Sequence, residues 1–302
     1  MIFGPVLFGN IRIVGQQVFS SVDGEDTKVF FWTVPGGVFN ISAVAVGAGG
    51  NESDRLPDSR GPSSGGGALS YSNNISVTPG ETLEIRIQAG GSAGEQSPAR
   101  YSGILRDSTW LLRAQVGGSA RAHYNDESND YPGLGGQATN GIGAVRQSGG
   151  NGTLSEGIAG SGGGGAAGYS GKGGDGGNVD DRVIPELTAA GQSGSGGGGG
   201  GGGSAEVTRA VEGGAGGGVG LNGQGSNGAG GSGSTATRRG RGGGGGSGGS
   251  SGSNGVNMGN MSGGTYGGGG VSAYTSTIKG GPGGVRIIWG QDRSYPFNAG
   301  DL

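Results

Sequence analysis

Eight consecutive glycines occupy positions 196–203, inside the stretch GQSGSGGGGGGGGSA (191–205). No other feature limits the fold so strongly. Glycine has no side chain to bury and loses more backbone freedom on ordering than any other residue. Such a run is either a solvated tether or a segment packed backbone against backbone. What flanks it decides between the two. Glycine supplies 85 of the 302 residues and proline only 10, without the strict G-X-Y triplet of collagen. The apolar share of 30% excludes one large conventional core and leaves room for a modest one of about 100 residues.

Strand signals cluster at the two ends of the chain. KVFFWTV (28–34), the turn PGG and VFNISAVAVG (38–47) are rich in β-branched and aromatic residues. In ISAVAV, Ile41, Ala43 and Ala45 fall on one face and the two valines on the other. GALSYSNNISV (67–77), the turn TPGE and TLEIRIQAG (82–90) read as a hairpin, with Leu83, Ile85 and Ile87 alternating with polar residues. YSGILRDSTWLLRAQVGG (101–118) reads as a further pair turning at Asp107 and Ser108. The next strand signal is GGVRIIWG (283–290). One strand alone cannot satisfy its backbone groups, so residues 285–289 are expected to return to the N-terminal sheet. The glycine block is then an insertion whose two ends lie together, which a tether would not need.

Within that block, glycine pieces alternate with segments of ordinary composition. The pieces are 160–168, 171–177, 191–203, 213–220, 223–233, 240–249, 263–270 and 280–284. Polyproline-II-type geometry has three residues per turn, a rise of about 3.1 Å and no internal hydrogen bonds, so side-chain-free neighbours can bond to one another. A rod in the middle of such a bundle must be glycine on every side, and a rod at the rim can carry side chains outward. On this basis 196–203 is an interior rod of roughly 25 Å, and GGAGGGVG (213–220) and GQGSNGAGGSG (223–233) are outer rods. The expected fold is all-β: a small antiparallel β-sandwich with an inserted bundle of polyglycine II helices joined by loops. The expected divisions are an attachment segment (1–27), the sandwich (28–118 with 285–290), the glycine-rich bundle (119–284) and a C-terminal tail (291–302).

The order of these motifs resembles the glycine-rich domain of phage tail-fibre proteins. The residues that carry the resemblance are WTVPGGVFNISAVAVGAGG, GGGALSYSNNISVTPGETLEIRIQAGG, the glycine runs and GGPGGVRIIWG. The closing IIWGQDRSYPFN is similar to the ends of glycine-rich structural proteins from phages of cyanobacteria and marine bacteria. The resemblance spans residues 28–297. In architecture the chain is also similar to the fibre-tip adhesins of T-even-type phages. There a small attachment region carries a sandwich of polyglycine II helices, and variable loops at the far end bind the bacterial receptor. The resemblance implies a receptor-binding adhesin at a tail or fibre tip, located on the virion. It would have a bacterial surface protein or glycan as one partner, and other phage tail proteins at its terminal segments as the others. The alternative of a different class is a purely structural virion component whose loops contact other phage proteins.

The chemistry of an enzyme is missing from the sequence. There is no cysteine, and His123 is the sole histidine, in the polar stretch RAHYNDESNDYPG, where a solvated histidine is the plainer reading. Asp126, Glu127 and Asp130 lack EF-hand spacing, so no metal and no cofactor is expected. YSGKGGDGGNV departs from a P-loop at Ala166 and Gly173 and from a calcium-binding repeat at Ser170 and Gly177. RRGRGGGGG (238–246) stands alone in a chain of net charge −3, so nucleic acid is not an expected partner. The irregular loops argue against an ice-binding face. No window approaches the roughly 18 apolar residues of a membrane span, and MIFGPVLFGNIRIV makes a poor signal peptide. Synthesis in the host cytoplasm is the expectation.

Loops on a rigid scaffold are the usual home of recognition. Counting back from Val285, the segments at 271–279, 234–239 and 204–212 are expected at the far end of the bundle, as is 121–132 counting forward. Those at 250–262 and 178–190 are expected at the near end. Tyrosine and arginine are the side chains most often energetic at interfaces. The candidate receptor-binding residues are therefore Tyr124, Tyr131, Arg209, Arg238, Arg239 and Tyr274.

Overall fold

The computed structural model describes residues 13–21, 27–51, 62–89, 100–121, 131–154, 160–178, 190–203, 213–233, 240–254, 262–271 and 279–302. Its strands are β1 (Gly15–Ser20), β2 (Lys28–Thr33), β3 (Asn40–Val46), β4 (Leu69–Ser76), β5 (Thr82–Ile87), β6 (Tyr101–Arg106), β7 (Thr109–Gln115), β8 (Val145–Gln147) and β9 (Gly284–Trp289). Turn chemistry sets the early registers. Gly37 and Gly80 take positive φ in the PGG and TPGE turns, as a type II turn demands. Asp107 and Ser108 both take positive φ between β6 and β7, which matches the strand twist of a tight hairpin.

The strands form two antiparallel sheets, one ordered β1-β9-β3-β4-β8 and the other β2-β5-β6-β7. As the sequence implies, the C-terminal strand returns to the N-terminal ones. It does so inside its sheet, next to the edge strand, with β1 on one side and β3 on the other. β1 lies inside the span expected to be an attachment segment. Its sequence GQQVFS carries too short an apolar pattern to announce a strand. The inner faces of the sheets meet in a core that contains Ile41, Ala43, Ala45, Leu83, Ile85, Ile87, Ile104, Leu112, Val285 and Ile287.

The larger sheet is also covered on its other face. Val44, Val46, Leu69, Tyr71 and Ile288 pack there against Ala166, Ala167, Tyr169, Val219 and Leu221 of the glycine-rich region and against Tyr295 and Ala299 of the tail. The two faces of ISAVAV therefore serve two cores. Alternation on a strand buried on both sides gives an apolar residue at nearly every position.

The glycine-rich region continues the strands without a break. Residues 47–51 prolong β3, 116–121 prolong β7, and 62–68 and 279–283 lead into β4 and β9. Backbone hydrogen bonds link sixteen described segments in four rows. The first row holds 131–137, 148–154, 171–178 and 190–194; the second holds 116–121, 62–68, 160–168, 197–203 and 225–233. The third holds 47–51, 267–271, 213–220 and 240–246; the fourth holds 279–283, 262–266 and 249–254. These bonds cross residue 118, so the division expected there does not coincide with a break in the hydrogen bonding.

Residues 197–203 show the bonding rule most clearly. Gly198 and Gly201 donate to Ala166 and Gly163, Gly199 and Gly202 to Gly244 and Arg241, and Gly200 to Gln192. In the other direction, Gly198 and Gly201 accept from Gly174 and Gly177, Gly199 and Gly202 from Gly217 and Gly214, and Gly197 and Gly200 from Gly228 and Gly231. Residues three apart address the same neighbour, and six segments surround this one. All of its residues are buried, as an interior position requires. Residues 225–233 lie at the rim, where Gly228 and Gly231 are buried while Ser226, Asn227, Ala229 and Ser232 are exposed.

Residues 213–220 do not lie at the rim, contrary to the expectation from their side chains. They are buried throughout. Gly214 and Gly217 bond to 197–203 and 160–168, and Ala215 and Gly218 to 249–254 and 240–246. Ala215 is small enough to be enclosed, and Val219 points into the second core at the end of the segment. Interior segments also admit serine where its hydroxyl replaces a backbone partner. Buried Ser64 donates from Oγ to the Asn51 carbonyl at 2.6 Å and accepts from the Ala120 amide at 3.2 Å.

Candidate functional site

The two ends of the array differ. At the sandwich end the chain reverses in a few residues, at 169–171, 195–197, 221–224, 247–248 and 265–267. Gly196, Gly223, Gly248 and Gly267 take positive φ in four of these reversals, a conformation open to glycine at little cost. The segments alternate in direction: 197–203 runs antiparallel to 160–168, 213–220 and 240–246. It follows that the residues flanking 52–61, 122–130, 155–159, 179–189, 204–212, 234–239, 255–261 and 272–278 all lie at the end away from the sandwich. Those intervals themselves lie outside the described residues.

This corrects the two near-end expectations. Residues 178 and 190, and residues 254 and 262, sit at the far end. The count from sequence misplaces them because 191–203, 240–249 and 263–270 each contain a reversal. A glycine run carries no side-chain signal for one.

The far rim is held by polar side chains that replace missing backbone neighbours. Asn51 Oδ1 accepts from the Gly280 amide at 2.8 Å, and Asn254 Oδ1 accepts from the Gly242 amide at 2.9 Å. Thr153 Oγ1 donates to the Gly177 carbonyl at 2.9 Å. Of the candidate residues, Tyr131 is described. It pairs with Arg121 through two backbone bonds of 3.1 Å, and its hydroxyl lies 3.4 Å from Arg121 Nη1. Tyr124, Arg209, Arg238, Arg239 and Tyr274 lie outside the described residues, as do His123, Asp126, Glu127 and Asp130. Among the described residues no group of three or more His, Cys, Asp or Glu could hold a metal ion.

The densest chemistry lies at the opposite end of the array. Arg286 on β9 is fully buried beneath the tail. Its guanidinium donates to the carbonyls of Leu221 at 3.2 Å, Gly300 at 3.1 Å and Ala299, and to Gln16 Oε1 at 2.6 Å. Beside it, Tyr169 and Tyr295 stack with centroids 5.9 Å apart, and Tyr71 leans against both. The Tyr169 hydroxyl donates to the Gly220 carbonyl at 3.0 Å, and the Tyr295 hydroxyl donates to the Leu221 carbonyl at 3.2 Å. Arg286 was detectable in VRIIW as a charge on the same face as Ile288 in a strand that must pair on both sides. Its partners Gln16, Leu221, Ala299 and Gly300 are distant in the chain, so nothing beside it in sequence marks its role.

Burial pushes the phenols of Tyr169 and Tyr295 well above their ordinary value. Raised folded values mean that the stability they contribute is complete below the ordinary tyrosine value of about 10 and is lost as pH rises through it. Denaturant midpoints are therefore expected to fall from about pH 10 upward. Tyr169→Phe should flatten that fall, at a cost of about 2 kcal/mol at neutral pH for the two lost hydrogen bonds, one to the Gly220 carbonyl and one from the Gly223 amide.

No family model matches the chain, and no curated protein matches it. Among the described residues no helix is long and apolar enough to cross a membrane.

Proposed function

We propose that the glycine segments are polyglycine II helices, and that the chain is a phage tail or fibre-tip adhesin binding a receptor on the bacterial surface. The three-residue period of the hydrogen bonds supports the first statement, because a threefold helix points every third amide at the same neighbour. The second rests on one observation. Short reversals occupy the sandwich end, while eight longer intervals all open at the other end of the same cross-linked array. That is the layout of a scaffold that presents variable chain on one face. The mechanism is binding without chemistry: the array holds the far-end intervals in register, and the sandwich with the terminal segments joins other tail proteins.

The test is binding of the fluorescently labelled full-length protein to a panel of bacterial cells. Saturable binding to particular strains is expected. Arg209→Ala with Arg238→Ala should weaken it by at least about tenfold and leave the unfolding midpoint unchanged. Absence of binding to every strain, with the far end covered by another protein in the particle, would establish the purely structural virion component instead.

A further inference from the structure

Among the described residues the sandwich has four sheet edges, and three of them are short or tied down. β8 is only three residues long. The free side of β7 is bridged by Ile142, which exchanges backbone bonds of 3.0 Å with Arg113. β1 has its Gln16 side chain held by Arg286, Arg293 and Asp301. β2 is different. Among the described residues it pairs only with β5, it contains no proline or acidic residue and a single charge, Lys28, at its start, and its outward side chains Val29 and Phe31 are 47% and 72% exposed. An edge with apolar side chains this exposed is a template for another strand.

We infer that β2 pairs antiparallel with β2 of a second copy of this chain, with Phe30 on the twofold axis. Residues opposite one another in such a pair share a face of the sheet. With Phe30 at the centre, Val29 of each copy stands opposite Phe31 of the other, so the exposed pair on one strand covers that on its mate. Charge is compatible with this symmetry. Within each copy Val29 lies beside Arg86 and Phe31 beside Glu84. Each row across the joint sheet therefore runs from an arginine of one copy to a glutamate of the other, and like charges never face each other. Arg86 is already fixed, paired with Glu84 and stacked over Trp110 at 5.6 Å. The smaller sheets of the two copies become one continuous sheet, as an isologous contact requires.

Sedimentation of the full chain over a wide concentration range should show a species of twice the 28.9 kDa chain mass. Phe31→Lys and, separately, Val29→Lys should each weaken association by roughly a hundredfold, since symmetry removes the anchor twice. Phe39→Lys, also an exposed apolar position, should leave association unchanged. The chain has no cysteine, so one nitroxide on Thr33→Cys reports the register. The two labels should lie about 20 Å apart, six residues along the strand at about 3.3 Å each. A monomer at every concentration would overturn the inference. So would a dimer that survives both lysine variants, or a label distance far from this value.

Discussion

Gly199→Val is expected to destabilise the protein by about 3 kcal/mol or more, and to remove the array's protection against protease and hydrogen exchange. Gly199 sits in the buried segment with neighbours on all sides, and a Cβ there would overlap the carbonyl group of Ala229. The same holds along the segment: added Cβ atoms at Gly198, Gly200 and Gly201 meet the carbonyls of Gly217, Asp175 and Gly214. The obstacle is backbone, which cannot rotate aside as a side chain can. Opening the space means displacing a neighbouring segment and breaking bonds spaced three residues apart along it. Gly36→Ala is the control. It adds a Cβ with nothing within 4 Å and needs no positive φ, so it should be neutral or stabilising by about 0.5 kcal/mol. Thermal unfolding of the two variants side by side measures the difference.

Arg286→Met should cost about 3 kcal/mol or more, at about 1 kcal/mol or more for each carbonyl left without its donor. The substitution keeps much of the volume and removes the guanidinium that satisfies the Leu221, Ala299 and Gly300 carbonyls. Asp301 supplies the carboxylate nearest Arg286, at 3.3 Å, yet its side chain is largely exposed, and an ion pair with one partner in water is worth little. The carbonyls therefore dominate, and Asp301→Asn should cost under about 1 kcal/mol. A loss in Asp301→Asn comparable to that in Arg286→Met, measured by denaturant unfolding, would show that the ion pair outweighs the carbonyls. Because Leu221 belongs to a reversal of the array and Ala299 to the tail, Arg286 ties sandwich, array and tail together at one point.

The sandwich was legible in the chain because its strands obey a two-residue alternation and its turns carry Pro-Gly and Asp-Ser signals. ISAVAV revealed both of its faces, and VRIIW revealed that a distant strand had to return. β1 and β8 were not legible. One has too few apolar residues, and the other spans three residues held between β4 and a 3₁₀ turn at Ala138–Asn140. The array was legible as a packing problem: buried glycine runs need one another's backbones. Its path was not, because Gly196, Gly248 and Gly267 reverse the chain within sequence that looks uniform. The interior place of 213–220 was hidden for a related reason. A methyl group at Ala215 reads as a rim residue, yet the interior admits it. Of the candidate site, the position of Tyr131 at the far rim follows from its place after β7, whereas the side-chain replacements at Asn51, Thr153 and Asn254 depend on which segments become neighbours.

Amide hydrogen exchange of residues 196–203, followed by mass spectrometry on a peptide that contains them, tests the cross-linked array most directly. Each amide from Gly198 to Gly202 donates to another segment, so these glycines should exchange only on global unfolding, as slowly as the amides of β3 and β9. Exchange at the rate of an unstructured glycine peptide, while β3 and β9 stay protected, would contradict it.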